Sequence, residues 1–193
     1  MKFVEERKLI KFIIAVWFAS LFHQSSIVFF VAYPIYHMRL TNSKKIATVL
    51  AIPVVFVFRV PLFNILTKIL KDSVVVGKTG AFTLFLVFCI IYVFLIMYNE
   101  NADDHQNGMI NLFYLACVCQ AFGSIYQLPM RVGYYFMVYG MIAIPNTVAN
   151  INDIKSRRTM SIVISVAFIL FGLNSLATAT WAGTNPYIFF WQN

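Results

Sequence analysis

Apolar runs near residues 12–22, 27–38, 46–58, 81–98, 109–128, 132–149 and 159–181 follow one another along this chain, with short polar clusters between them. The longer runs approach about 20 residues, the length that crosses ~30 Å of hydrocarbon as a helix. Lipid offers backbone groups no hydrogen bonds, so helices are forced. With 61% of its 193 residues hydrophobic and 11% charged, a soluble domain would lack the polar surface to cover its core. The expected fold is therefore all-α: a polytopic transmembrane helical bundle of about six or seven membrane segments. It includes a short hairpin near residues 12–38, and residues 1–193 form a single transmembrane domain.

Several other classes fall away. The first apolar run has a basic flank, but no small-residue cleavage site precedes its polar break, so no cleavable signal peptide is read. Cys89, Cys117 and Cys119 lie inside apolar runs without CxxC spacing and read as packing residues. "VVVGKTG" is not a phosphate loop: Asp72 stands where its first glycine belongs, and no α/β unit surrounds it. "DDHQNG", with His105, reads as a solvated turn rather than a metal site. No metal, cofactor or nucleic-acid partner is expected. The partly apolar link from Arg59 to Gly80 is expected to continue the third helix after a kink at Pro61 and then to lie along the interface.

Residues 12–38 are interrupted by "HQSS". As one span they would place the basic N-terminus and "RLTNSKK" on opposite sides; as a hairpin they place both in the cytoplasm. Counting onward from the hairpin, Lys2, Arg7, Lys8, Lys11, Arg39, Lys44, Lys45, Lys155, Arg157 and Arg158 fall inside. Arg59, Lys68, Lys71, Lys78 and Arg131 fall outside. The bias supports an inside N-terminus and an outside C-terminus, and Arg157 and Arg158 read as topology determinants.

The outer cations invite a function. Gln120, Ser124, Gln127 and Arg131 recur at i, i+4, i+7 and i+11, which on one helix makes a polar stripe ending in a guanidinium. Such a stripe either mediates helix contacts, with Arg131 snorkelling to headgroups, or marks a pathway or anionic ligand beside "GYYF", with Tyr134 and Tyr135.

"ASLFHQSSIVFF", "YQLPMRVGYYFMVYGMIAIP" and the terminal "NPYIFFW" together resemble the successive landmarks of the C-terminal half of EpsG-type membrane proteins, relatives of the Wzy-like membrane polysaccharide polymerases. The resemblance implies a glycosyltransferase-type, inverting polymerase of exopolysaccharide, capsule or O-antigen type. It would join polyprenyl-diphosphate-linked oligosaccharide repeats on the outer face of the bacterial inner (cytoplasmic) membrane. It implies membrane lipid as surroundings and no nucleotide sugar. It also implies a longer whole, so that a missing N-terminal half or other polysaccharide-assembly proteins would complete the site. On this resemblance Arg131, and second Arg59, would hold the diphosphate leaving group. Arg59 reads equally well as a headgroup anchor.

His23 would serve as base to the acceptor hydroxyl, or else satisfy the hairpin tip together with Ser25 and Ser26. Ser25, Gln127, Tyr134 and Tyr135 would contribute to substrate binding. Asn185 and Tyr187 would either touch sugar or belong to an aromatic belt. Two other functional classes stay open: a polysaccharide or lipid flippase or transporter fragment, and an inactive accessory membrane subunit.

The topology is directly measurable in a chain whose three natural cysteines are replaced. Cysteine at Ser25 or Thr184 should react with an impermeant thiol reagent from outside, and cysteine at Ser43 or Ser156 should not. External labelling of position 43 would make residues 12–38 one span and dissolve the common outward site.

Overall fold

A computed structural model describes residues 2–70, 82–99 and 102–178. Among these residues the chain is all helical, without strands. The chain divides into two compact units, Met1–Asn150 and Ile151–Asn193. The first unit contains α1 (Lys2–Glu5), α2 (Leu9–Phe22), a 3-10 segment (Gln24–Val31), α3 (Ala32–Tyr36), α4 (Asn42–Val57), α5 (Arg59–Leu70), α6 (Phe82–Met97), α7 (Asp104–Ala121) and α8 (Gln127–Ala149). The second contains α9 (Ile154–Thr178).

The chain turns back at His23. Its extended backbone (φ −147°) ends α2, and Ser26 N–H closes the turn on the His23 carbonyl at 2.9 Å. The return is antiparallel, with the Phe12 and Tyr33 rings 5.6 Å apart, so residues 12–38 are a hairpin in this fold. A tighter reversal precedes it. Arg7 N–H bonds Val4 O and Lys8 N–H bonds Phe3 O, with Arg7 left-handed at φ 54°. This helix stop normally takes glycine, and a side chain there costs about 1–2 kcal/mol. The reversal folds α1 back so that Val4 is fully buried.

The expected kink falls before Pro61. Asn42–Val57 and Arg59–Ile65 meet at 77° across Phe58. A proline ring excludes the carbonyl four residues earlier, here that of Val57, so the break sits where the proline's clash falls and Pro61 itself rides in the first turn of α5.

Helix α7 is central, with residues buried on every face, among them Gln106, Met109, Ile110, Asn111, Leu112 and Phe113. Its polar side chains therefore bond to neighbouring helices. Gln106 Nε2 donates to Ala143 O (2.9 Å) and Thr147 Oγ1 (2.7 Å) on α8. Asn111 Nδ2 donates to Met38 O at 2.6 Å, just beyond α3. Tyr92 Oη on α6 donates to Thr48 Oγ1 on α4 at 2.8 Å. Glycines let α7 and α8 approach closely. A Cβ on Gly140 would lie within 2.4 Å of the Phe113 ring, and one on Gly133 within 3.1 Å of Cys119 Cβ. Small residues and interhelical hydrogen bonds are the means by which helices associate where no hydrophobic drive between them remains.

The outward surface is apolar: Phe22 is 80% exposed, Ile10 74% and Ile90 70%. By length and composition α9, over Ile154–Ala177, is long and apolar enough to cross a membrane, and the bent pair of α4 with the start of α5 passes the same test together. Leu9–Phe22, Ser26–Tyr36 and Phe82–Met97 are apolar but shorter. Ahead of α9, Asp153 Oδ2 accepts hydrogen bonds from Ser156 Oγ (2.6 Å) and Ser156 N–H (2.8 Å), which hold its carboxyl below its ordinary range.

Gly108 tests the packing most sharply, because an added Cβ would meet the Tyr36 ring at 2.3 Å. Gly108→Ala should lower the melting temperature in detergent, by an overpacking cost of about 1–3 kcal/mol. Gly172→Ala, where nothing lies within 4 Å, should be neutral or stabilising through helix propensity.

Candidate functional site

The expected polar stripe is not on one helix. Residues 122–126 form a turn, with Gly123 N–H on Gln120 O (2.9 Å) and Tyr126 N–H on Phe122 O (3.1 Å). Gln120 thus precedes the reversal, Ser124 lies within it, and Gln127 and Arg131 follow it. The reversal comes before "PMR", and Pro129 lies in the first turn of α8, where no intrahelical donor is missed. The i, i+4, i+7 spacing was real but crossed a chain reversal.

The reversal nevertheless gathers most of the expected residues at one end of the first unit. Phe29 of the 3-10 segment packs against Tyr135 and Phe136 of α8, ring centroids 5.7 and 5.5 Å apart. This contact holds the hairpin tip, with His23 and Ser25, toward the end of α8 that carries Arg131. His23 and Arg131 are exposed, and Tyr134 and Tyr135 are partly so. For Ser25 and Gln127 the structure describes the backbone position alone, and Asn185 and Tyr187 lie outside the described residues.

Arg59 reaches the same end because Phe63 of α5, one turn further on, packs against Tyr126 with ring centroids 5.6 Å apart. Its guanidinium lies 4.0 Å over the Phe56 ring, and Nη1 donates to Phe56 O at 2.6 Å. Its Nε is buried and, among the described residues, has no acceptor; Ser124 Oγ, in the 122–126 turn, is likewise buried without a partner. A buried charged donor left without an acceptor is costly, on the order of 1–3 kcal/mol or more. That cost disappears when water or an anionic ligand supplies the oxygen.

The opposite end holds what the sequence did not disclose. There the N-terminus, residues 37–41 and the start of α7 enclose a cavity of about 440 Å³. Tyr36 Oη and His105 Nδ1 are hydrogen-bonded at 3.1 Å, and Glu5 Oε1 is 3.6 Å from the same nitrogen. His37 Nε2 lies 2.9 Å from Val4 O, tying α1 to α3. "DDHQNG" is thus no solvated turn throughout: Asp103 caps α7 by accepting Gln106 N–H at 2.7 Å, and the following residues are helical. The available signal was local, an aspartate three residues before a glutamine ahead of an apolar run. Nothing local marks the contacts of positions 5 and 36 with 105. Among the described residues no group of His, Cys, Asp or Glu side chains is arranged to hold a metal.

An all-helical chain with an apolar outer surface, small-residue helix contacts and buried amide bonds is of the membrane-associated class. The family comparison agrees: the EpsG family model matches residues 1–189, and the chain belongs to that family, whose members are membrane-associated and linked to polysaccharide biosynthesis. No curated protein and no solved structure matches the chain.

Proposed function

We propose that this chain is a multi-pass protein of the bacterial inner membrane and forms at least part of an exopolysaccharide polymerase. It would join polyprenyl-diphosphate-linked oligosaccharide repeats on the outer face, a partner or further segment supplying the rest of the site. The observation that carries this reading is the packing of Phe29 on Tyr135 and Phe136. It puts an imidazole and hydroxyl-bearing tip at the same end as Arg131. The orphaned Arg59 Nε and Ser124 Oγ at that end add an unmet demand for oxygen acceptors and polar ligands.

In the reaction, an acceptor sugar hydroxyl loses its proton as its oxygen attacks the anomeric carbon of the donor repeat, and the bond from that carbon to the lipid diphosphate breaks with inversion. His23, exposed at the tip, takes the proton. Arg131 receives the developing diphosphate charge, its planar fork matching two phosphate oxygens. Arg59 presents Nε from its stacked position over Phe56. Tyr134 and Tyr135 line the sugar path, and Gln127 and Ser25 belong to it by sequence. Asn185 and Tyr187 belong to this proposal by sequence alone.

Arg131→Lys separates ligand from anchor. Lysine keeps the charge and snorkels equally well but loses the fork. In a strain that depends on this chain, the long-chain fraction of polymer, normalised to membrane protein abundance, should fall at least about tenfold. Single repeats should accumulate on the outer face. Arg158→Lys should leave polymer unchanged. Full-length polymer from Arg131→Lys would take Arg131 out of the site, and repeats trapped on the inner face would instead favour a flippase.

A further inference from the structure

We propose that the cavity between α1, residues 37–41 and the start of α7 binds a phosphorylated sugar. It lies at the end of the first unit opposite the hairpin tip and is independent of the polymerase reading. Its volume, about 440 Å³, suits a small polar molecule.

The lining sorts into groups already engaged and groups left over. Tyr36 is hydrogen-bonded to His105 Nδ1, and His37 Nε2 lies against the Val4 carbonyl; Glu5 Oε1, 3.6 Å from the same His105 nitrogen, pairs with it when the imidazole is protonated. Asn107 is occupied through both ends of its amide, accepting from Asn99 Nδ2 at 2.7 Å and donating to Asp103 O at 2.9 Å. Arg7 and Arg39 also line the cavity, and among the described residues no ion pair takes either guanidinium. Asp104, at the start of α7, lines it as well and is in no ion pair among those residues. Two guanidinium groups from separate segments line one cavity, and a guanidinium is chemically suited to a phosphate group, whose oxygens it can grip with parallel N–H donors. A carboxylate facing the same space repels a second anion but accepts hydrogen bonds from hydroxyls, and Thr41 adds a hydroxyl that both donates and accepts. Phosphate at the arginines with hydroxyls toward Asp104 and Thr41 satisfies both sets; bare phosphate leaves the carboxylate unanswered, and an unphosphorylated sugar leaves the arginines unanswered.

The backbone at Arg7 points the same way. The turn between α1 and α2 needs a left-handed residue, for which glycine is suited, yet an arginine occupies it and lines the cavity.

That conformation also provides a clean test, because Arg7→Gly removes the guanidinium while relieving the backbone. Calorimetric titration of the full chain in detergent with glucose 1-phosphate should show saturable binding, at least tenfold tighter than inorganic phosphate or glucose. Arg7→Gly and Arg39→Ala should each weaken it at least tenfold, with Arg7→Gly melting no lower than the parent. Asp104→Asn should weaken glucose 1-phosphate binding but not phosphate binding. Absence of binding, equal affinity for inorganic phosphate, or unchanged affinity in Arg7→Gly would each overturn the proposal. So would displacement of the sugar phosphate by phosphatidylglycerol, but not phosphatidylcholine, in the micelle, which would give the cavity to a lipid headgroup.

Discussion

Most of helix α7 beyond its first turn is buried, so its amide nitrogens must find partners on neighbouring elements, and the arrangement around it follows from that constraint. Gln106 and Asn111 carry amides into a site where desolvation is costly unless partners are met. Each amide nitrogen spends both hydrogens on a neighbouring element: Gln106 on α8, and Asn111 on the Tyr36 and Met38 carbonyls at the end of α3. These bonds fix the rotation of α7 against both neighbours. The glycines on α8 then allow the approach that the bonds require, since any side chain at position 140 would collide with Phe113. Polar specificity and small-residue packing here act on the same pair of helices.

The two ends of the first unit are finished differently. At the N-terminal end, cap, imidazole and amide groups are largely engaged with one another, leaving Arg7, Arg39 and Asp104 to face a cavity. At the hairpin-tip end Arg59 Nε and Ser124 Oγ are buried without partners among the described residues, while His23 and Arg131 are exposed. Orphaned amide oxygens also occur on Asn99, Gln106 and Asn111, but a neutral acceptor with its amide nitrogen bonded costs less than an unanswered guanidinium donor. The hairpin-tip end therefore carries the stronger unmet demand for an anion.

Much of this was legible in the sequence because it depends on local signals. Hydrophobic runs gave helices, "HQSS" gave the hairpin tip, and Pro61 announced a break whose position its own steric reach moves to Phe58. The reversal at 122–126 was misjudged in register. Its residues "FGSIY" are as apolar as the helices they join, and Pro129 drew attention to a position where proline suits a helix's first turn. The cavity was not legible at all, since its contacts join residues some 70 to 100 positions apart in sequence and depend on Gly108 admitting the Tyr36 ring.

Length supplies a last physical link between fold and proposed chemistry. Helix α2, with 14 residues, rises only about 21 Å at 1.5 Å per residue, short of a ~30 Å hydrocarbon core. Seated in a bilayer as proposed, such short apolar elements are accommodated by local thinning or by flanking polar groups that reach the interface. The α2 hairpin ends at His23, so thinning there draws headgroups and water down toward the tip. On the proposed function, a lipid diphosphate would follow its headgroup plane, and a thinned patch would bring it toward Arg131 without lifting the polyprenyl chain from the hydrocarbon. A short hairpin is thus a physical advantage for a site that must receive a charged headgroup while its lipid tail remains dissolved.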